Sequence, residues 1–544
     1  MSVYSAHVDT FAHDNLPPRY QWPDLIFTLP ELQYPEHMNC IVELLDTKIQ
    51  EGYGDRPAIF SADGVLTYAQ MQAQVDKVAH VLTHDMGLVP GNRVLLRSAN
   101  NAMLAICWCA VAKAGLIVVA TMPLLREKEL VDIIEKAQTT AAICDRRLDA
   151  ELQTAQQRCP VLEQIMYFND PSTEGLEAHM SKWNEPFSAV DTAAEDTVLI
   201  AFTSGSTGQP KASMHFHRDI IAACDCFPKS ILHMASDDIC IGTPPLAFTF
   251  GLGALLIFPM RVGAATVLLE KLTPESLLSA ISEYHVTIAW SSPLFYRQIA
   301  EIASKFDIST LRQSVSAGEW LPVSTRTMWC EATGIEMVDG IGSTEMLHIF
   351  ISSAGDEVRP GATGKVVQGY QACILDENGQ QLPSGTIGRL GVKGPTGCRY
   401  LADERQRTYV QHGWNLTGDA YLMDEDGYFW FQARTDDLIV TAGYNVAGPE
   451  VEGALLMHPT VAECAVVGAP DAERGTIVKA FVVLKPGVVG DAALIKTLQD
   501  FVKQSIAPYK YPRAIEFCDA LPRAGTGKIQ RYRLRQQEHG GINP

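Results

Sequence analysis

The stretch 102-AMLAICWCAVAKAGLIVVATMPLL-125 carries a single charged residue, Lys113. A membrane helix would hold that lysine near its middle, where a lone ammonium in hydrocarbon is costly. Ala114-Gly115 also divides the run into a helix-like half and a β-branched half, Leu116 to Ala120. A buried helix followed by a strand buried on both faces satisfies both constraints. Such a strand needs cover on each side, and a chain of 544 residues is long enough for several cores.

The flanking sequence keeps this alternation. Ala62-Asp63-Gly64 reads as a hairpin turn. Thr67 suits the N-cap of a helix whose Met71, Val75, Val78 and Leu82 recur at helical spacing. Strands over Val94–Leu96 and Ala141–Cys144 enclose helices over Leu104–Lys113 and Arg126–Lys136. The pattern resumes from Thr197 to about Val338, predicting an α/β fold with parallel sheet covered on both faces. From Gly361 to Trp430 short segments with Gly and Asn turns predict a small β-rich subdomain. After Arg434 the chain restarts with its own strand–helix–strand pattern. The division expected is 1–435 and 436–544.

Composition narrows the class. A content of 47% hydrophobic and 19% charged residues describes a compact protein. The net charge of −20 makes nucleic acid and anionic membrane poor partners. Thirteen cysteines without a framework spacing, behind an N-terminus lacking a signal-peptide pattern, are expected to be reduced thiols in a cytoplasmic protein.

The chemistry-bearing motifs are far apart. In 197-TVLIAFTSGSTGQPK-211, an apolar strand leads into Thr203, Ser204, Gly205, Ser206, Thr207, Gly208 and Lys211. The hydroxyls and glycines suit an anion cradle, and a strand's C-terminal edge is where α/β sheets bind ligands. It is no Walker loop, because Lys211 follows Pro210 and does not open a helix. On its own such a run is more often an ordinary surface turn, a reading that the preceding apolar strand weakens. In 338-VDGIGSTEMLHIF-350, Thr344-Glu345 sets a hydroxyl beside a carboxylate, which suits a magnesium ion carried by nucleotide phosphates or merely a helix start. Glu345-x-x-His348 has di-iron spacing, but that site needs a second copy, which is lacking. His215-x-His217 would put two imidazoles on one strand face without a third ligand. Asp419 in 416-LTGD-419, with Arg434, suits a ribose. Lys528 in 522-PRAGTGKIQR-531 sits in a loop able to bring a cation to a distant site.

Together these motifs, with the 434-RTDD-437 segment, resemble the adenylate-forming superfamily of acyl-CoA synthetases, luciferases and carrier-loading adenylation domains. The resemblance runs from about Asp55 to Arg531. It implies a large N-terminal region of two α/β subdomains plus a β-barrel-like part, and a smaller mobile α+β C-terminal domain. It implies that ATP activates a carboxylate as its adenylate, that coenzyme A then takes the acyl group, and that AMP and pyrophosphate leave. By resemblance Thr203 to Gly208 and Lys211 hold the outer phosphates, Thr344 the α-phosphate and Glu345 the Mg2+. Gly318, Glu319 and Asp339 surround adenine, and Asp419 and Arg434 the ribose. Lys528 serves the first half-reaction only, Asp436 is the hinge, and Gly443 approaches the thiol path. Ala212 stands where the family commonly has glycine, and Ile341 where an adenine-stacking tyrosine is frequent.

The acyl pocket implied comprises Phe248, Thr249, Phe250, His348 and Ile349, short and aromatic-walled, suited to a flat ring. These segments are most similar to 2-aminobenzoate–CoA ligases, then to benzoate–CoA ligases. A monomer or homodimer acting on an aryl acid is expected. Two alternatives stay open: an adenylation enzyme loading a carrier-protein thiol, and a nucleotide-binding regulator.

Overall fold

The computed structural model describes residues 4–203, 210–434, 437, 439–441, 444–471, 475–524 and 527–538. The apolar run resolves as read. Helix Ala102–Lys113 is followed by strand Ile117–Thr121, and the helix is buried from Leu104 onward. Lys113, 2% exposed, ends between Asp46 and Asp76, with Nζ 2.9 and 2.7 Å from their carboxylates. Its charge is met inside the protein, which removes the objection to burying it. Thr67 caps helix Tyr68–His80 through a capping box with Gln70, and Met71, Val75 and Val78 point into the core.

One six-stranded sheet runs, in spatial order, Gln164–Phe168, Ala141–Asp145, Arg93–Arg97, Ile117–Thr121, Thr197–Thr203, Lys211–Phe216. A nine-stranded sheet is built around Ile239–Gly242, Ile288–Ser291, Gln313–Ala317 and Met337–Gly342. Both are parallel at their centres, as expected, and antiparallel strands join them at the edges. Thr197–Thr203 pairs antiparallel with Lys211–Phe216, and Met337–Gly342 pairs antiparallel with Ile349–Ser353. In each case a short motif returns the chain directly, where parallel pairing would require a crossover. A third sheet of Gln371–Leu375, Ile387–Lys393, Val410–Gln411, Trp414–Met423 and Phe429–Arg434 is the β-rich subdomain, antiparallel throughout.

The C-terminal region has its own core, where Val451, Leu455, Val466, Val482 and Leu498 join strands Val461–Asp471, Gly475–Leu484 and Ala514–Phe517 to helix Ala492–Ser505. It rests on the segment Gly318–Trp320: Gly453 lies against the Trp320 ring, and Arg523 Nη1 is 3.8 Å from Glu319 Oε1. Among the described residues no helix is long and apolar enough to cross a membrane.

Candidate active site

Strand Lys211–Phe216 sorts its residues by the period of two. Ala212, Met214 and Phe216 enter the hydrophobic cores. Lys211, Ser213 and His215 face the other way. Along the outer edge of this strand runs the segment Arg399–Leu401, tied on by Met214 N to Arg399 O at 2.8 Å and Leu401 N to Ala212 O at 2.9 Å, so that Tyr400 lies opposite Ser213. Behind it Arg399 and Asp219, both fully buried, pair at 2.7 Å. The pairing brings the Tyr400 ring beneath Lys211, with Nζ 5.3 Å from the ring centroid. Thr203 ends the neighbouring strand directly opposite Lys211. Ser204, Gly205, Ser206, Thr207 and Gly208 lie outside the described residues.

Thr344 and Glu345 occupy the turn between the antiparallel strands Met337–Gly342 and Ile349–Ser353, and no helix begins there. The helix-start reading of Glu345 is therefore corrected. His215 Nε2 donates to the Thr344 carbonyl oxygen at 2.8 Å. Glu345, 7% exposed, accepts a hydrogen bond from the Tyr400 hydroxyl. Tyr409, whose hydroxyl is 3.2 Å from Ser343 Oγ, also faces Lys211, at 5.9 Å. His217 does not share a strand face with His215. It opens helix His217–Asp225, and its Nδ1 accepts from the Cys40 backbone N–H at 3.1 Å. No group of three or more metal-ligating side chains occurs among the described residues.

Asp419 and Arg434 lie opposite each other across paired strands, and Arg434 Nη1 donates to Asp419 Oδ1 at 2.9 Å and to Thr417 O at 3.1 Å. Gly418, at φ +78°, leaves the room the guanidinium fills, since a Cβ there would meet Arg434 Nη2 at 2.8 Å. Tyr409 joins this cluster to the previous one: burial raises its phenol, and both Glu345 and Asp419 add to the effect. Lys528 reaches the same place from the C-terminal region. Crowding by protein holds its amine below the usual lysine range and Arg434 adds to this, while Asp419 and Glu319 oppose it. The side chain keeps solvent contact, which tempers that shift. Burial raises the Glu319 carboxyl, with Arg523, Arg531 and Lys528 opposing. Asp339, 6% exposed, is pushed up to about 7 by burial. Gly318, at φ +89°, turns the chain beside Glu319 with open space at its Cα.

Around His348 the aromatic side chains close in. Its ring stacks on Phe227 at 5.8 Å and lies 5.7 Å from Phe250, 4.4 Å from Phe258 and 6.0 Å from Trp290. Gly253 permits this packing, because a Cβ there would sit 2.4 Å from His348 Cδ2. Phe248 caps the short helix Thr249–Leu252 and is half-buried, while Thr249 and Ile349 are buried. His348 Nε2 lies 3.3 Å from the Phe250 carbonyl oxygen, which can only accept, so that nitrogen bears the proton. Nδ1 is then a lone-pair acceptor, buried and without a hydrogen-bond partner among the described residues. Burial lowers the ring to about 3, so it stays neutral.

The structure thus gathers Thr203, Lys211, Thr344, Glu345, Asp419, Arg434, Glu319 and Lys528, which the sequence scatters over more than three hundred positions. Asp436 and Gly443 fall outside the described residues. Sequence reasoning missed Tyr400, Tyr409, Phe227, Phe258 and Trp290. None sits in a recognisable motif, and only tertiary pairing brings them to the site.

Two family models match the chain, "AMP-binding enzyme" over residues 47–400 and "AMP-binding enzyme C-terminal domain" over 450–528. The benzoate–CoA ligase of Thauera aromatica is 33% identical over 93% of this chain and 98% of its own length. The crystal structure of the anthranilate CoA ligase AuaEII with anthranoyl-AMP is 32% identical, covers 94% of this chain and 99% of that one, and superposes with a TM-score of 0.90. A benzoate CoA ligase from Burkholderia xenovorans LB400 gives 0.84 at 29% identity, covering 92% of this chain and all of that one. A carboxylate and cation cluster at one sheet edge, a second α/β region bringing a lysine to it, and matches spanning both regions agree: the chain belongs to the AMP-binding, adenylate-forming family and is an ATP-dependent acid–CoA ligase.

Proposed function

We propose that the acid is an aryl carboxylate bearing a hydrogen-bond donor beside its carboxyl, 2-aminobenzoate foremost, and that free coenzyme A is the thiol. The observation carrying this reading is His348 Nδ1, a buried acceptor that has no partner among the described residues and sits inside an aromatic box. An unpaired buried acceptor is unfavourable, and an ortho amine or hydroxyl would satisfy it. Thr249 discriminates less, because a hydroxyl both donates and accepts. Benzoate is the second reading, favoured by the 33% identical relative.

In this reading Lys211, with Thr203 and the Ser204–Gly208 run, holds the outer phosphates, and Thr344 meets the α-phosphate. Asp419 and Arg434 take the ribose, with Gly318, Glu319 and Asp339 about the adenine. Glu345 fits Mg2+: it is one buried carboxylate with a single hydroxyl donor, the protein share of an ion that keeps mostly phosphate and water ligands. When bound, the ion offsets charge on the departing pyrophosphate. Lys528 meets the acid's carboxylate and the α-phosphate as the mixed anhydride forms. The domain division at Asp436 then acts as a hinge, withdrawing Lys528 and bringing the Gly443 segment toward the thiol.

The test is acid-dependent AMP release with free coenzyme A and no carrier protein, over benzoate, 2-aminobenzoate, 2-hydroxybenzoate and 2-methylbenzoate. The methyl compound matches the amine in size without its donor. We expect kcat/KM for 2-aminobenzoate to exceed that for 2-methylbenzoate by about 100-fold or more, and His348→Leu to remove most of the difference. Equal use of the two acids by the unaltered enzyme would defeat the donor reading, and thioester formation only on a carrier protein would defeat the choice of thiol.

A further inference from the structure

Lys211 lies over the face of one buried ring, and Glu345 meets the same ring at its hydroxyl. The Tyr400 side chain presents its face to the ammonium at 5.3 Å and donates its hydroxyl to Glu345. Tyr400 is 1% exposed, and its backbone is fixed from several sides. Arg399 O and Leu401 N bond to the strand bearing Lys211, and Tyr400 N donates to Gln406 Oε1 at 2.9 Å. Tyr409 packs edge-on at 5.7 Å and completes a two-ring floor beneath the lysine. Burial first, and then the Glu345 charge, raise the Tyr400 phenol far above its ordinary range. It therefore keeps its proton and acts as a donor to the carboxylate.

A lysine and a glutamate this close to a shared neighbour would ordinarily pair and cancel one another. Among the described residues no ion pair joins Lys211 to Glu345. We infer that Tyr400 is a positioning residue that separates these two groups, holding the cation for phosphate and the carboxylate for the phosphate-borne metal ion. The inference rests on the nucleotide roles proposed above. A ring face attracts the ammonium without neutralising it, and a single phenol donor orients the carboxylate while leaving its other lone pairs available.

The experiment is calorimetric binding of ATP to the full chain without acid or coenzyme A, so that nothing turns over, in magnesium and in EDTA. Tyr400→Phe keeps the ring and loses the hydroxyl. Its affinity for ATP in magnesium should fall about 10-fold, with less than about 2-fold change in EDTA. Tyr400→Leu also removes the floor, so Lys211 is free to pair with Glu345 and affinity should fall in both buffers. The KM for the acid should change in neither variant. Wild-type magnesium affinity in Tyr400→Phe would overturn the inference. Parallel loss in both buffers for Tyr400→Phe, or an unfolding midpoint far below wild type, would assign Tyr400 to the core and overturn it too. Failure of the nucleotide roles themselves would look different: Lys211→Met and Glu345→Gln would then leave ATP binding unchanged.

Discussion

His215 Nε2 donates a hydrogen bond to the Thr344 carbonyl oxygen across 2.8 Å, linking the strand that leaves the Ser/Gly motif to the turn that carries Glu345. The contact fixes one half of the proposed nucleotide site against the other. In His215→Leu that carbonyl loses its donor, a loss of about 1–3 kcal/mol. Adenylate formation, followed by acid-dependent pyrophosphate exchange, should slow by about 10- to 100-fold. His215→Gln, which restores an N–H, should recover part of the rate. An unchanged exchange rate in the leucine variant would show that the turn holds itself.

Acid should destabilise the protein well before its surface carboxylates titrate. Burial lowers His215 to about 4 and His217 and His348 to about 3, from 6.5. Between those values the unfolded chain binds protons that the folded one refuses, so stability is complete above about pH 6.5 and falls as pH drops toward 4. Asp339 acts in the opposite sense: its folded carboxyl, raised from 3.8 to about 7, keeps a proton the unfolded chain has lost, an advantage that fades as pH rises to 7. Three histidines against one aspartate leave about two protons near pH 5, or about 2.7 kcal/mol per pH unit from these groups. Urea unfolding from pH 4.5 to 7.5 measures the slope, as orders of magnitude set by the midpoints above. His217→Asn should reduce it by about one proton, and an unchanged slope would mean that His217 titrates in the folded state.

Lys528 lies in the charge field of Asp419 and Glu319, residues assigned to the nucleotide in the proposal above. Lys528→Ala should lower adenylate formation by about 100-fold or more, while coenzyme A transfer from supplied acyl-adenylate stays within about 3-fold. Rapid-quench assays of each half-reaction separate the two. Equal losses would show that Lys528 does not divide its role between the steps.

Lys113 is the buried cation of a triad with the half-buried Asp46 and the buried Asp76. Lys113→Met leaves two carboxylates without their partner, and should destabilise the fold by about 3–5 kcal/mol. Adding Asp46→Asn and Asp76→Asn should return most of that loss, since no charge is then left unpaired. Urea midpoints of the two variants check this, and no recovery in the triple variant would place the effect in packing instead.

The architecture was legible in sequence because hydrophobic period and capping act locally. Thr67 with Gln70, and the break at Ala114-Gly115, specify a helix start and a helix-to-strand passage wherever the chain happens to fold. The motif residues stood out in the sequence because their hydroxyls and glycines fall in one short run, the composition an anion cradle would need. Antiparallel returns were not, since pairing direction depends on which strand lies alongside. The two tyrosines under Lys211, the aromatic ring of side chains about His348, and the unpaired His348 Nδ1 were decided by tertiary structure alone. Each is a relation between residues from 58 to 198 positions apart, and such relations are set by packing, which leaves no periodic trace in the chain.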